Sequence, residues 1–127
     1  MINVYETEDG VVFDMSQLEC DALRSYADGL LTDPEHPFVE LLRSQGLVVG
    51  DAPVPHLAVL LEAFSQATKV LTAWVVSPAG CRRSTFFVGP HSAVVSRCDE
   101  GGLYAGEDDL LSVWSIDSAQ LRETFFE

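Results

Sequence analysis

The sequence predicts an α+β fold in which an antiparallel β-meander sheet carries helices packed on one face. Apolar residues recur at helical spacing through the first half of the chain, whereas the second half holds short β-branched and aromatic runs. Turn signals separate those runs by only a few residues, and a parallel pair would need a long crossover, so the strands are predicted to be antiparallel. One composition extends throughout, which predicts a single domain over residues 1–127.

A β-hairpin followed by a helix is predicted at the N-terminus. Asp9-Gly10 lies between two short apolar runs, which is a hairpin turn signal. Ser16 with Glu19 three residues later forms a capping box that predicts the start of the helix. Gly29 is its predicted C-terminal cap. Whether this hairpin joins the main sheet is left open by the sequence.

Two further helices are predicted before the sheet. The second begins between Pro34 and Pro37, because proline is tolerated in a first helical turn but not further in, and it ends at Gly46. The third helix has the strongest periodicity, with apolar residues at steps of three and four. These residues are Leu57, Leu60, Leu61, Phe64 and Ala67.

Four strands and a closing helix are predicted for the rest of the chain. The first strand, 70–76, is apolar on both faces, whereas a strand with one solvated face should alternate. Either helices therefore cover both faces of the sheet, or another chain covers part of one. Residues 99–102 are predicted to form a polar connection. The other strands cover 85–88, 93–97 and 110–116, and Asp117 or Ser118 caps the final helix.

Composition excludes several classes of function. Twenty acids against seven bases give a net charge of −13, which argues against binding a nucleic-acid backbone. We expect a cytoplasmic protein, since the N-terminus lacks the apolar segment of a signal peptide and no apolar run is long enough to span a membrane. Cys20, Cys81 and Cys98 are widely spaced and odd in number, which suits reduced thiols better than disulfides or a zinc site.

No catalytic, metal or cofactor site is predicted. His36, His56 and His91 lie in different loops or helix entries, and no serine lies in a G-x-S-x-G motif. The acidic run 107–109 lacks the alternating ligands of a calcium loop and is predicted to be solvated. We therefore expect a protein that is not an enzyme.

Protein-binding residues are predicted among the strands instead. Arg82 and Arg83 could hold a partner carboxylate in bidentate fashion, or could simply protect a hairpin edge. The aromatic residues of the strands are most simply core, although one could anchor an interface, because the strands offer more apolar faces than one helical layer covers. They are Trp74, Phe86, Phe87 and Trp114.

The order of features supports a resemblance at the level of pattern. The segments that carry it are VVFDMSQLECDALRSYAD, HPFVELLRSQGLV, HLAVLLEAFSQATKVLTAWVV, RRSTFFVGPHSAVVSRCDEGGLY and SIDSAQLRETF. Together they resemble one half of the EspG family, the cytosolic chaperones of actinobacterial type VII secretion. The resemblance implies an aliphatic helix that runs straight into a strand, a meander and a closing helix. It also implies a family of two such halves that binds PE–PPE substrate pairs, but it carries over no individual binding residue.

Two function hypotheses follow. The first is a non-enzymatic protein-binding module, a chaperone-like factor of type VII secretion whose partner is a PE–PPE-like or other helical secreted protein. We expect it to act as a homodimer, because a second copy would supply the half that the resemblance lacks. The alternative is an acidic immunity-type or regulatory protein that neutralises a basic partner, motivated by the net charge of −13.

Overall fold

Six antiparallel strands form the main sheet, in the order β1-β2-β8-β7-β6-β5. The computed structural model describes residues 1–8, 10–78, 80–101 and 106–125. The strands of this sheet are β1 (Asn3–Thr7), β2 (Gly10–Ser16), β5 (Lys69–Ser77), β6 (Gly80–Val88), β7 (Ser92–Gly101) and β8 (Leu110–Asp117). A small second sheet pairs β3 (Val48–Val49) with β4 (Ala52–Pro53). The helices are α1 (Gln17–Ala27), α2 (Pro37–Ser44), α3 (Pro55–Gln66) and α4 (Leu121–Phe125), which follows a 3-10 turn over Ser118–Gln120.

The fold class is confirmed, and the N-terminal hairpin belongs to the main sheet. Strand β2 pairs with β8, so that Phe13 lies opposite Val113 and Met15 lies opposite Leu111. This pairing places the N-terminal hairpin beside the last strand of the described chain. Strands β1 and β5 are left as its two edges.

The helix caps follow the predicted signals. The Ser16 hydroxyl accepts a hydrogen bond from the Glu19 N–H at 3.1 Å, and the Glu19 carboxylate accepts one from the Ser16 N–H at 3.0 Å. Gly29 and Gly46 adopt φ of +74° and +73°, the left-handed conformation that ends α1 and α2 at little cost only for glycine. Helix α2 begins at Pro37 itself, because the His36 ring nitrogen Nδ1 accepts the Phe38 N–H and caps it.

Helices α1 and α3 pack over β2, β6, β7 and β8 on one side of the sheet, here called the helix face. The predicted stripe of α3 is confirmed for Leu57, Leu60 and Phe64, which are buried. The Phe64 ring meets Phe87 of β6 edge-on, with 5.2 Å between the ring centroids. The opposite side is the second face, where Thr124 of α4 is buried and lines a cleft together with Trp114 of β8.

Several predictions differ from the structure. Strand β6 begins at Gly80 rather than at residue 85. Residues 99–101 were expected in a connection but belong to β7, where Gly101 lies opposite Cys81 across a β-bulge; residue 102 lies outside the described residues. The strand continues because main-chain pairing does not require apolar side chains. The final helix also departs from the expectation of helices on one face, since it borders the second face.

Candidate protein-binding surface

Strand β5 is an edge of the main sheet and is largely exposed. In the described part of the chain it has β6 on one side and no strand on the other. Its large apolar residues remain in contact with solvent, and an exposed, long apolar edge strand is a ready-made site for pairing with another chain. Their exposed fractions are 48% for Val70, 45% for Leu71, 49% for Trp74, 55% for Val75 and 69% for Val76.

Both faces of β5 carry this exposed apolar surface. Val70 lies opposite the buried Phe87 of β6, which places Val70, and with it Trp74 and Val76, on the helix face. Leu71 and Val75 alternate with them on the second face. Strand β5 is therefore apolar on both faces, as the sequence predicted. The helices of the described chain leave most of this apolar surface exposed.

The other edge of the sheet is built differently. Strand β1 has five residues against the nine of β5 and carries Glu6 within it. Lys69, at the start of β5, is the only charged residue of that strand. Short length and charge are the usual protection of an edge strand against pairing, so β1 is protected and β5 is open to a partner.

The two predicted arginines have different environments. Arg82 lies opposite Val75 and is half-buried on the second face, beside the exposed edge. Arg83 lies opposite Trp74 but is only 5% exposed, and its guanidinium donates to the Asp109 carboxylate at 3.1 Å. Arg82 therefore lies next to the exposed edge strand β5, whereas Arg83 forms an internal ion pair with Asp109.

The predicted aromatic residues also separate into different environments. Phe87 belongs to the core, and the Arg24 guanidinium lies 4.7 Å from the centre of its ring. Trp114 is partly buried on the second face, with the Arg97 guanidinium 5.2 Å from its ring centre. Phe86 is fully buried. Trp74 is the predicted aromatic residue that the structure leaves half exposed, on the edge strand itself.

Asp109 is a structural residue that the sequence did not reveal. The acidic run 107–109 was predicted to be solvated, which holds for Glu107 and Asp108. The Asp109 carboxylate instead accepts hydrogen bonds from the Gly106 N–H at 2.9 Å and from Arg83. These two contacts lower the pKa of Asp109. No local motif distinguishes Asp109 from its neighbours, because Arg83 reaches it only through the fold.

A cleft of about 470 Å³ opens on the second face between the N-terminal hairpin, β7, β8 and the C-terminal turn. Its walls combine the Arg97–Trp114 stack with hydroxyl, amide and carboxylate groups, among them Tyr5, Ser112, Gln120 and Glu123. None of the described residues that line the cleft is a histidine or cysteine, so they offer neither group as a nucleophile or general base.

The histidines and cysteines of the described chain have other positions. His36 caps α2, whereas His56 and His91 are exposed on separate elements. Burial, reinforced by the neighbouring Asp21 charge, raises the pKa of Cys20 to about 12, so its thiol stays protonated at neutral pH. Among the described residues, no three histidine, cysteine or acidic side chains are grouped as metal ligands.

The longest helix described is α3, with 12 residues, and no helix in the described ranges is long and apolar enough to cross a bilayer. In comparisons with known proteins, the chain matches no family profile, no curated protein and no solved structure. The resemblance to EspG therefore stays a prediction, and the β5 edge is the strongest candidate surface that the fold presents.

Proposed function

We propose that the protein is a non-enzymatic protein-binding module that acts through β5. The observation that carries this proposal is the exposure of five large apolar side chains on both faces of one edge strand. Removing such side chains from water is favourable by about 25 cal/mol for each Å² of apolar surface, and this gain offsets part of the cost of association. Apolar patches of this kind on otherwise charged proteins mark interaction sites.

The partner that we propose is an apolar helical segment of a secreted protein, held in the cytoplasm before export. The aliphatic and aromatic side chains of β5 offer a surface on which an amphipathic helix can lay its apolar face. The pattern-level resemblance to EspG motivates the choice, since that family keeps PE–PPE pairs soluble. The chain would then be a chaperone-like factor associated with type VII secretion.

Co-expression with a PE–PPE pair tests this function. We expect the wild-type chain to raise the soluble yield of the pair and to co-purify with it. Val76→Glu should abolish both effects, because it puts a charge on the most exposed apolar residue of β5. Val4→Glu is the matched control: Val4 is 42% exposed on the same face of the sheet but at the opposite edge. Equal behaviour of the two variants, or no effect of the wild-type chain, contradicts the proposal.

The net charge of −13 favours a second candidate, an acidic regulator that neutralises a basic protein. Long-range attraction between opposite charges accelerates association at low salt and is screened as salt rises. Binding that weakens steeply between low and physiological salt supports this candidate. Binding that is nearly insensitive to salt and is lost in Val76→Glu supports the β5 surface.

A further inference from the structure

We propose that a second copy of the chain pairs with β5 in antiparallel orientation, about a two-fold axis that lies midway between Ala73 and its copy. This inference rests on the proposed function, because it takes β5 as the binding surface and names its main-chain partner. The pairing joins two six-stranded sheets edge to edge. Four features of β5 carry the inference: its self-complementary sequence, its hydrogen-bonding direction, its lack of acids and its two apolar faces.

The sequence of β5 is self-complementary when it is read against itself in the opposite direction. Directly opposed residues of an antiparallel pair lie on the same face of the sheet. A two-fold axis must therefore lie midway between one residue and its own copy. An axis at Ala73 uses all nine residues of the strand and sets Val70 against Val76 and Leu71 against Val75. The opposed pairs are Lys69 with Ser77, Val70 with Val76, Leu71 with Val75, Thr72 with Trp74, and Ala73 with itself.

The main-chain N–H and C=O groups of β5 point in the directions that this register requires. Ser77 lies opposite Gly80 with two residues between them, and such a two-residue hairpin is closed by a hydrogen-bonded pair. Hydrogen-bonded pairs alternate with non-hydrogen-bonded pairs along an antiparallel ladder. The main-chain N–H and C=O groups of residues 69, 71, 73, 75 and 77 therefore bond to β6, and those of residues 70, 72, 74 and 76 point away from it. Ala73 would then meet its copy as a non-hydrogen-bonded pair, where Cα atoms are only about 4.5 Å apart and a small side chain fits best.

The charge distribution allows two acidic chains to approach at this edge. Two copies with a net charge of −13 each repel one another over most of their surfaces. Strand β5 contains no acid and carries Lys69, and Arg82 lies beside it on β6. The other edge strand contains Glu6, which pairing of two β1 strands would bring close to its copy.

Pairing through the main chain leaves the apolar faces of β5 available for the proposed partner. On the helix face, Val70, Trp74 and Val76 of the two copies would form the floor of one shared groove. Helices α1 and α3 of each copy would flank it, because they lie over the more central strands. The dimer would thus present twice the apolar floor of one chain to a helical segment.

Cysteine crosslinking tests the register. In a Cys81→Ser background, which removes the partly exposed thiol of β6, we expect Ala73→Cys to form a covalent dimer under mild oxidation. Leu71→Cys is the matched control from the same face, since residue 71 would lie opposite residue 75 and roughly 13 Å from its own copy along the strand. A disulfide needs Cα atoms within about 4.4–6.8 Å. Crosslinking at both positions, at residue 71 alone, or at neither position overturns the inference.

Light scattering on a sizing column separates the failure of this inference from the failure of the proposed function. We expect the wild-type chain and Val4→Glu to show twice the chain mass of 13.9 kDa at micromolar concentration, and Val76→Glu to show the monomer mass. A wild-type monomer that still solubilises the PE–PPE pair overturns the self-pairing and leaves the proposed function standing. A crosslinked dimer with no effect on the pair supports the self-pairing and contradicts the proposed function.

Discussion

Asp109 connects three parts of the chain. One of its oxygens accepts from Arg83 of β6 and from the Gly106 N–H, while its main-chain carbonyl accepts from the Gln17 N–H at 2.8 Å. Arg83 is almost fully buried, so removing its partner leaves a charge with less compensation inside the fold. Asp109 is therefore expected to stabilise the fold in its ionised form.

Asp109→Asn is expected to lower the melting temperature at pH 7, with the difference from wild type disappearing in acid. The pKa of Asp109 is lowered by the Gly106 N–H and by Arg83. The ionised carboxylate of Asp109 therefore contributes its full stabilisation of the fold above the unfolded-state pKa of about 3.9. This stabilisation is lost as the pH falls through the lower folded-state pKa. Asp108→Asn, at the exposed neighbour, is the control and should change little. Thermal melts of both variants from neutral to acidic pH check this, and equal melting temperatures at pH 7 would count against it.

At the scale of the single residue, exposure could not be predicted from residue type. Trp74 and Trp114 both lie in apolar strands, yet Trp74 is half exposed and Trp114 lies under Arg97. The difference arises from strand order, because β5 is an edge and β8 lies between β2 and β7. Strand order depends on contacts between distant parts of the chain, such as the Ser112 hydroxyl donating to Asp14 at 3.0 Å. No local pattern encodes them.

Elements, by contrast, were largely predictable, because their signals are local. The capping box of α1 joins residues three apart, and Gly29 and Gly46 end their helices through their own backbone conformation. The strands were found with the correct order along the chain, but β6 and β7 extend further than their apolar runs. Main-chain pairing extends strands beyond the apolar residues from which the strands were predicted.

Ser16→Ala is expected to destabilise the protein by about 1 kcal/mol, the usual contribution of an N-cap side chain. The substitution removes the acceptor of the Glu19 N–H and one half of the capping box. Ser25→Ala, within α1, is the control, since alanine is favourable inside a helix. Urea unfolding followed by circular dichroism measures both free energies of unfolding. A Ser16→Ala variant as stable as Ser25→Ala would show that the cap contributes nothing.

At the scale of the whole molecule, the two edges of one sheet have opposite characters. The β1 edge is short and acidic, whereas the β5 edge is long, apolar on both faces and without acids. The sequence predicted a strand with two apolar faces and left open whether helices cover both faces of the sheet or another chain covers part of one, and the resemblance suggested a second copy. Only the strand order shows that β5 is an edge strand. It also shows how many main-chain groups of β5 a partner could bind.

Amide hydrogen exchange followed by NMR reports, residue by residue, whether another β5 strand occupies this edge. The amides of Val70, Thr72 and Val76 point away from β6, whereas those of Leu71, Ala73 and Val75 point toward it and serve as internal controls. We predict slow exchange for both sets in the concentrated wild-type protein. On dilution below the dimer dissociation constant, or in Val76→Glu, the outward set alone should become fast. Fast exchange of Val70 and Thr72 at every concentration, with the inward set protected, would contradict the pairing of two β5 strands.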